Sequence, residues 1–174
     1  MTYTSRISLR SVLFIFACLF HTAANAEAKV EAKVGDRFGD WVLECRAVTA
    51  GKNVCFLSQT MVTKKGNRRL LKLNLGNNAD KKENELVVIT QLGIHLPTGV
   101  TGTIGQDKPF PFTVQTCTRQ GCLTTAKVDG ALLKALQTGE KLAIKFSMLA
   151  AGKPITLEAS LKGLAEGMRA INLK

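Results

Sequence analysis

The sequence predicts an antiparallel β-sandwich with two short helices and two local disulfides. Apolar and polar residues alternate along most of the chain, which is the pattern of strands that bury one face. The stretches between these runs are too short for the helices of a doubly wound α/β fold, and about eight short strands favour a sandwich. Four cysteines in two close pairs, behind an export signal, complete the prediction.

The chain opens with the pattern of a cleavable export signal. Two arginines precede an apolar run from Val12 to Phe20, which is followed by Ala24-Asn25-Ala26. A basic start, a short apolar stretch and an Ala-x-Ala site are typical of a secretory signal peptide. The run is about half the ~20 residues that a membrane-spanning helix needs. We expect cleavage after residue 26, which leaves no transmembrane segment; lipidation at Cys18 is a weaker alternative.

The remaining chain divides into a leader and one domain. Residues 27–34 repeat Glu-Ala-Lys-Val twice, and we interpret residues 27–35 as a flexible leader. Residues 36–174 are enough for a single domain with a real core. Export places the mature protein in the periplasm or outer envelope, or outside the cell as a secreted protein.

The balance of charge is strongly basic. The formal net charge is +11, and removal of the signal peptide lowers it by two. A basic exported protein favours anionic surfaces such as lipopolysaccharide, phospholipid or glycosaminoglycan. A solvated basic surface without a specific ligand explains the charge equally well. Nucleic acid is a poor partner, because the compartment is wrong and the chain has few residues that could stack on bases.

The first half of the domain predicts four strands. Alternation starts at Trp41, resumes at Phe56 and, after a turn at 64–67, continues through Leu71, Leu73 and Leu75. A polar loop follows. The continuously apolar run at 86–89 predicts a central strand that is covered on both faces.

The second half predicts further strands and both helices. The segment 92–100 contains proline and glycine, so it should form a bend that feeds a short strand near 102–105. Alternation resumes at 110–117, and the chain returns at 122–128. Asp129 is a plausible N-cap for a helix that ends before Gly139.

A hairpin and a helix close the chain. Alternating apolar positions at 142–148 and 155–161 flank a turn that contains Gly152, which predicts a β-hairpin. Leu164, Met168 and Ile171 then recur at helical spacing. We expect a short amphipathic helix there.

The four cysteines left after cleavage allow three connectivities. Cys45 and Cys55 flank a segment with Gly and Asn, and Cys117 and Cys122 flank a four-residue turn. Both pairs therefore lie at the mouths of predicted hairpins, and local disulfides are the simplest solution. A redox site remains an alternative, although neither pair has the two-residue spacing of a catalytic dithiol. A zinc site would need further ligands.

Candidate catalytic residues are sparse. His95 is the one histidine after the signal peptide, and it lies in the predicted bend without a nucleophile nearby in sequence. Ser58, Ser147 and Ser160 fall in strand patterns, not in a nucleophile elbow. We therefore predict no catalytic residue, no metal ligand and no cofactor, and we do not expect an enzyme.

A basic cluster at a predicted hairpin tip is the best candidate for a contact surface. The cluster comprises Lys64, Lys65, Arg68 and Arg69, and Lys81 and Lys82 in the next predicted loop could lie close to it. Such a cluster could contact an anionic surface. Hairpin tips also carry charge simply to stay soluble, and that interpretation competes with a binding patch.

Several segments together resemble the invasion-associated locus B family of bacterial envelope proteins. They are Phe38-Gly39-Asp40-Trp41 with Cys45, Cys55-Phe56-Leu57-Ser58-Gln59, the segment 92–100, the segment 117–122 with the leucines that follow it, and Ser160-Leu161-Lys162-Gly163-Leu164. No single motif is specific to the family, and the resemblance rests on the order of all of them along residues 36–172. Leu164 departs from the aromatic residue that the family tends to place there, and this is a conservative change.

The resemblance implies an exported, disulfide-stapled, non-enzymatic β protein, and for the four cysteines it implies a structural role. Our leading hypothesis is a binding module of the periplasm or outer envelope, with an unknown envelope or host protein as partner. A surface-displayed or secreted host-contact factor that binds an anionic glycan or lipid surface is the second. A thiol redox protein or chaperone that uses Cys117 and Cys122 is the third.

Overall fold

The computed structural model describes residues 32–49, 52–66, 68–78, 80–150 and 153–173, with the backbone alone for Val48, Thr49 and Lys52. The predicted signal peptide and most of the predicted leader lie outside these residues. The described chain contains ten strands and two α-helices: β1 Arg37–Phe38, β2 Trp41–Thr49, β3 Lys52–Val62, β4 Arg69–Asn78, β5 Glu83–Thr90, β6 Val100–Ile104, β7 Phe110–Thr118, β8 Gly121–Lys127, α1 Gly130–Thr138, β9 Lys141–Ser147, β10 Pro154–Ser160 and α2 Leu164–Ala170. A single 3₁₀ turn, Leu96–Thr98, precedes β6.

The strands form one antiparallel order, β1-β2-β3-β4-β5-β8-β7-β6-β9-β10. Strand β7 links two sections of this order. Its first half pairs with β6, where Phe112 lies opposite Val100, and its second half pairs with β8, where Val114 lies opposite Thr124. The register shifts between Val114 and Thr116, and such irregularities let a strand pass from one sheet to another. The mainly β fold with two short helices is therefore as predicted.

One hydrophobic core spans both sections of the sheet. Leu71, Leu73 and Leu75 on β4 are fully buried, as are Leu142 and Ile144 on β9. The alternation that predicted these strands therefore marks their inner faces.

The apolar run on β5 differs from its prediction. Leu86 and Val88 are fully buried, but Val87 and Ile89 on the other face are only half-buried. The expectation of cover on both faces was wrong, because the outer face at Val87 is flanked by Asn74 and Thr125 of the neighbouring strands.

Both predicted helices are confirmed. The side chain of Asp129 accepts a hydrogen bond from the Leu132 amide at 2.8 Å, which caps the first turn of α1. Helix α2 packs against β1, β2 and β3. A Cβ atom at Gly167 would lie 2.7 Å from the Leu57 side chain, so this helix rests closely on the sheet. None of the helices within the described ranges is long and apolar enough to cross a membrane.

Hydrogen bonds join the end of β10 to the opposite flank of the fold. The carbonyl oxygen of Ser160 accepts from Trp41 Nε1 at 3.0 Å and from Gln59 Nε2 at 2.9 Å. The Ser160 amide donates to Gln59 Oε1 at 3.2 Å, and the Asp40 amide donates to the Lys162 carbonyl at 3.1 Å. The two distant ends of the strand order are thereby held together.

Both predicted disulfides are present. Cys45 is bonded to Cys55 directly across β2 and β3, and Cys117 is bonded to Cys122 directly across β7 and β8. The first pair lies inside its ladder, because the strands continue to Thr49 and Lys52 beyond it. Each disulfide joins two strands that are also paired through their backbones.

Candidate functional site

The predicted basic tip is the connection between β3 and β4. Its turn is held by hydrogen bonds from the Gly66 amide to the Thr63 carbonyl at 2.7 Å and from the Thr63 amide to the Arg68 carbonyl at 2.9 Å. Thr63, Lys64, Lys65 and Arg68 line an open depression at this loop. The three cationic side chains are all exposed, so they are available to a partner in solution.

Arg69 ties this loop to the turn between β7 and β8. Its guanidinium Nη2 donates to the carbonyl oxygen of Gln120. Strands β4 and β8 lie on either side of β5, so this bond passes over the end of β5. It places exposed Arg119 at the same end of the molecule as the basic tip.

We call Lys64, Lys65, Arg68, Arg69 and Arg119 the basic end. Sequence reasoning missed Arg119 because β5 pairs on its second side with β8 and not with β6, the next strand in sequence. The turn Thr118-Arg119-Gln120-Gly121 was interpreted as part of a disulfide loop, and nothing local in it indicates that a distant hairpin tip lies alongside.

Lys81 and Lys82 do not belong to this end. They lie in the connection between β4 and β5, whereas the basic tip lies between β3 and β4. Successive antiparallel hairpins turn at opposite ends of their shared strand, and the 10 residues of β4 span roughly 30 Å. The expectation that these lysines lie close to the tip was therefore wrong.

The end that carries Lys81 and Lys82 has mixed charge. Lys81 Nζ lies 2.9 Å from Glu85 Oε1. This hydrogen bond, together with the negative charge of Glu85, raises the pKa of Lys81 above its ordinary value. Asp80 precedes the two lysines in the same connection, and Glu83 begins β5 directly after them. Positive charge at this end is thus offset by nearby carboxylates.

The connections β3–β4, β5–β6, β7–β8 and β9–β10 contain no carboxylate, whereas the β1–β2 turn carries Asp40 beside Gln59 of β3. No Asp or Glu occurs in residues 61–79, 86–106, 108–128 or 141–157. The connections at the opposite end carry Asp80, Asp107, Asp129 and Glu140, and Glu83 begins β5 there. Positive charge therefore predominates in the connections that form the basic end.

Of the residues considered for catalysis, the structure brings His95 and Ser147 together through their backbones. The amide of His95 donates to the Ser147 carbonyl at 2.8 Å, and its own carbonyl accepts from Thr98 Oγ1 at 2.8 Å. Ser58 is 2% exposed on β3. Across the described ranges, no group of three or more His, Cys, Asp or Glu residues is arranged to hold a metal ion.

The disulfide considered for redox chemistry is shielded on one side. Cys122 is 2% exposed, and Cys117 is exposed to solvent. The Thr90 hydroxyl lies 3.4 Å from the Cys122 carbonyl, which anchors this side of the turn to β5. The bond is thus part of an ordered strand pair.

Comparisons with known proteins agree with the fold. The family model described as "Invasion associated locus B (IalB) protein" matches residues 41–172. The chain is also similar in structure to invasion associated protein B from Bartonella henselae. That crystal structure is 22% identical in sequence, has a TM-score of 0.70, and the match covers 80% of this chain and 95% of that chain. A search of curated proteins found no significant match.

Proposed function

Because the chain belongs to the invasion associated locus B family, we propose that it is an exported, non-enzymatic binding module that contacts anionic partners through its basic end. The family is associated with the cell envelope, and this chain forms a β domain with two disulfides. The specific partner and the exported location are parts of the proposal.

The observation that carries the proposal is the composition of the basic end. Four of its five cations lie in the connections β3–β4 and β7–β8, which are far apart in sequence and contain no carboxylate; the fifth, Arg69, begins β4. A surface that carries one sign of charge raises the local concentration of ions of the opposite sign and steers them toward it. An anionic partner is therefore the class of ligand that this end favours.

Two features support export to the periplasm, the outer envelope or the medium. Residues 1–26 have the pattern of a secretory signal, and the four cysteines beyond it are paired in disulfides. Disulfides persist in oxidising compartments such as the periplasm and the cell surface. A host-contact role would use the same basic end against an anionic glycan or lipid outside the cell.

The test of this function uses heparin as a simple polyanion. The variant Lys64→Glu/Lys65→Glu should lose most of its salt-sensitive retention on a heparin column, because it reverses two charges of the basic end. The matched control is Lys82→Glu/Lys108→Glu, which makes the same change of charge with exposed side chains at the opposite end. The control should elute close to the wild type.

The comparison of the two variants decides the outcome. Earlier elution of the first variant alone assigns anion binding to the basic end. Equal retention of both variants would show that the overall charge, and not this end, governs binding, and the proposed function would fail.

A further inference from the structure

Exposed aliphatic side chains gather beside the basic end. The large hydrophobic residues that stand exposed in the described chain are Val34, Val62, Leu92, Leu96 and Leu149. All but Val34 lie at the end of β3, after β5 or in the β9–β10 connection. Exposed apolar residues that cluster mark contact surfaces more often than scattered ones do.

The segment that holds Leu92 leaves the sheet between the cations. Strand β5 ends at Thr90, which pairs with Leu71 on β4 and with Cys122 on β8. Directly beyond these partners lie Arg69 on the β4 side and the turn that carries Arg119 on the β8 side. Leu92, two residues after Thr90, is 50% exposed.

Leu149 extends the same surface. Its amide donates to the Gly93 carbonyl at 2.8 Å, which sets it beside the segment that holds Leu92. Its side chain is 72% exposed. Val62, which is 48% exposed, lies directly opposite Arg69 at the end of β3. Aliphatic and cationic side chains are thus interleaved on one end of the domain.

We propose that this end docks on the surface of an anionic phospholipid bilayer. The cations contact lipid phosphates, while Leu92 and Leu149 enter the boundary between headgroups and acyl chains. The proposal rests on the proposed function and names its partner. The strands that end in these loops then run roughly along the bilayer normal. The acidic connections at the opposite end face away from the bilayer.

The mixture of side chains favours a bilayer over other anionic partners. Anionic lipid attracts each basic residue near its surface, and buried aliphatic area strengthens that attachment. A sulfated glycan offers anions but no apolar phase in which leucines could be buried. An acidic protein would need an apolar patch of matching shape, whereas a bilayer adapts to side chains spread over several loops.

The experiment measures binding to vesicles of phosphatidylcholine mixed with phosphatidylglycerol, with pure phosphatidylcholine vesicles as the neutral comparison. Wild-type protein should sediment with the anionic vesicles and be released by high salt. The variant Leu92→Ser/Leu149→Ser should bind these vesicles at least about tenfold more weakly, because two leucine side chains are no longer buried in the lipid. Its retention on heparin should equal that of the wild type. Val34→Ser, which removes an exposed aliphatic residue elsewhere, is the control. It should bind the anionic vesicles and heparin as the wild type does.

The outcomes separate the two proposals. Full vesicle affinity of the leucine variant, or equal losses on vesicles and heparin, would overturn lipid docking while anion binding by the basic end stands. Failure of Lys64→Glu/Lys65→Glu to change heparin retention would instead overturn the proposed function.

A gain-of-signal variant guards against a folding defect. Leu149→Trp should shift its fluorescence emission to shorter wavelength with anionic vesicles and not with heparin, since the indole then enters the lipid boundary. Trp41, the one native tryptophan, is fully buried and serves as an internal reference. Unchanged emission with vesicles would count against docking even if the serine variant binds poorly.

Discussion

At the scale of single residues, a close backbone approach joins Gly163 to the start of the fold. Gly163 has φ +83°, and a Cβ atom added to it would lie 2.2 Å from the Phe38 carbonyl oxygen. The same crossing brings the Asp40 amide to the Lys162 carbonyl. Glycine is needed here both for the left-handed backbone and for the space.

The variant Gly163→Ala should therefore lower the free energy of unfolding by at least about 2–3 kcal/mol, because backbone strain and a backbone clash add. Gly105→Ala is the matched control. Gly105 also has a positive φ, +56°, but nothing lies within 4 Å of the added Cβ. The control should lose only about 1 kcal/mol in urea unfolding monitored by circular dichroism. Equal losses in both variants would mean that the close crossing is not what requires glycine.

At this scale, the partners of buried polar residues are what the sequence does not predict. Gln59 is 8% exposed and bonds to both backbone groups of Ser160, which is 101 residues away in sequence. Alternation places Gln59 on the same strand face as Leu57 and Met61, but it does not say what a buried amide there would bond to. Gln59 is buried because it bonds to a residue that is distant in sequence, and the local sequence pattern does not identify that partner.

At the scale of secondary-structure elements, each disulfide reinforces one pair of antiparallel strands. Cys45 and Cys55 are separated by 10 positions in sequence, and Cys117 and Cys122 by 5. The entropy lost by the unfolded chain on closing loops of this size is worth about 2–3 kcal/mol each, and slightly more for the longer loop.

Removal of either disulfide should lower stability by about that amount. Cys45→Ala/Cys55→Ala and Cys117→Ala/Cys122→Ala are compared with the wild type in urea unfolding, and the wild type is also unfolded with and without reductant. The reduced wild type should lose about the sum of the two effects. An unchanged midpoint on reduction would contradict a stabilising role.

The elements themselves were largely predictable because their signals are local. Alternation marks β4 and β9, and Asp129 with Gly139 brackets α1. The pairing of β5 with β8 and the sharing of β7 between two sections were not predictable, because they depend on contacts between distant segments. For the same reason, sequence reasoning identified Lys64 and Lys65 as candidate contact residues but placed Lys81 and Lys82 at the wrong end of the domain. It also missed Arg119.

At the scale of the whole molecule, one core connects all parts of the described fold. Leu57, Leu86, Leu136 and Ile144 come from distant parts of the strand order or from α1, and all belong to a single cluster of buried residues. The link from Ser160 to Trp41 joins the two ends of that order. Such a core should unfold as one cooperative unit.

Unfolding in urea should therefore give one transition by two independent probes. Trp41 fluorescence reports the junction between the ends of the strand order, and far-UV circular dichroism reports the sheet as a whole. Their midpoints should coincide in oxidised protein. A fluorescence midpoint at clearly lower urea would show that the junction opens before the sheet and that the fold is not two-state.

The local character of both disulfides also bears on how the protein matures. Loop closure costs less entropy for short loops, so an unfolded chain brings each native cysteine pair together more often than any competing pair. Correct oxidation then does not have to wait for the sheet to assemble. We expect a thiol oxidant to suffice during maturation, with little demand on the isomerases that reshuffle mispaired cysteines.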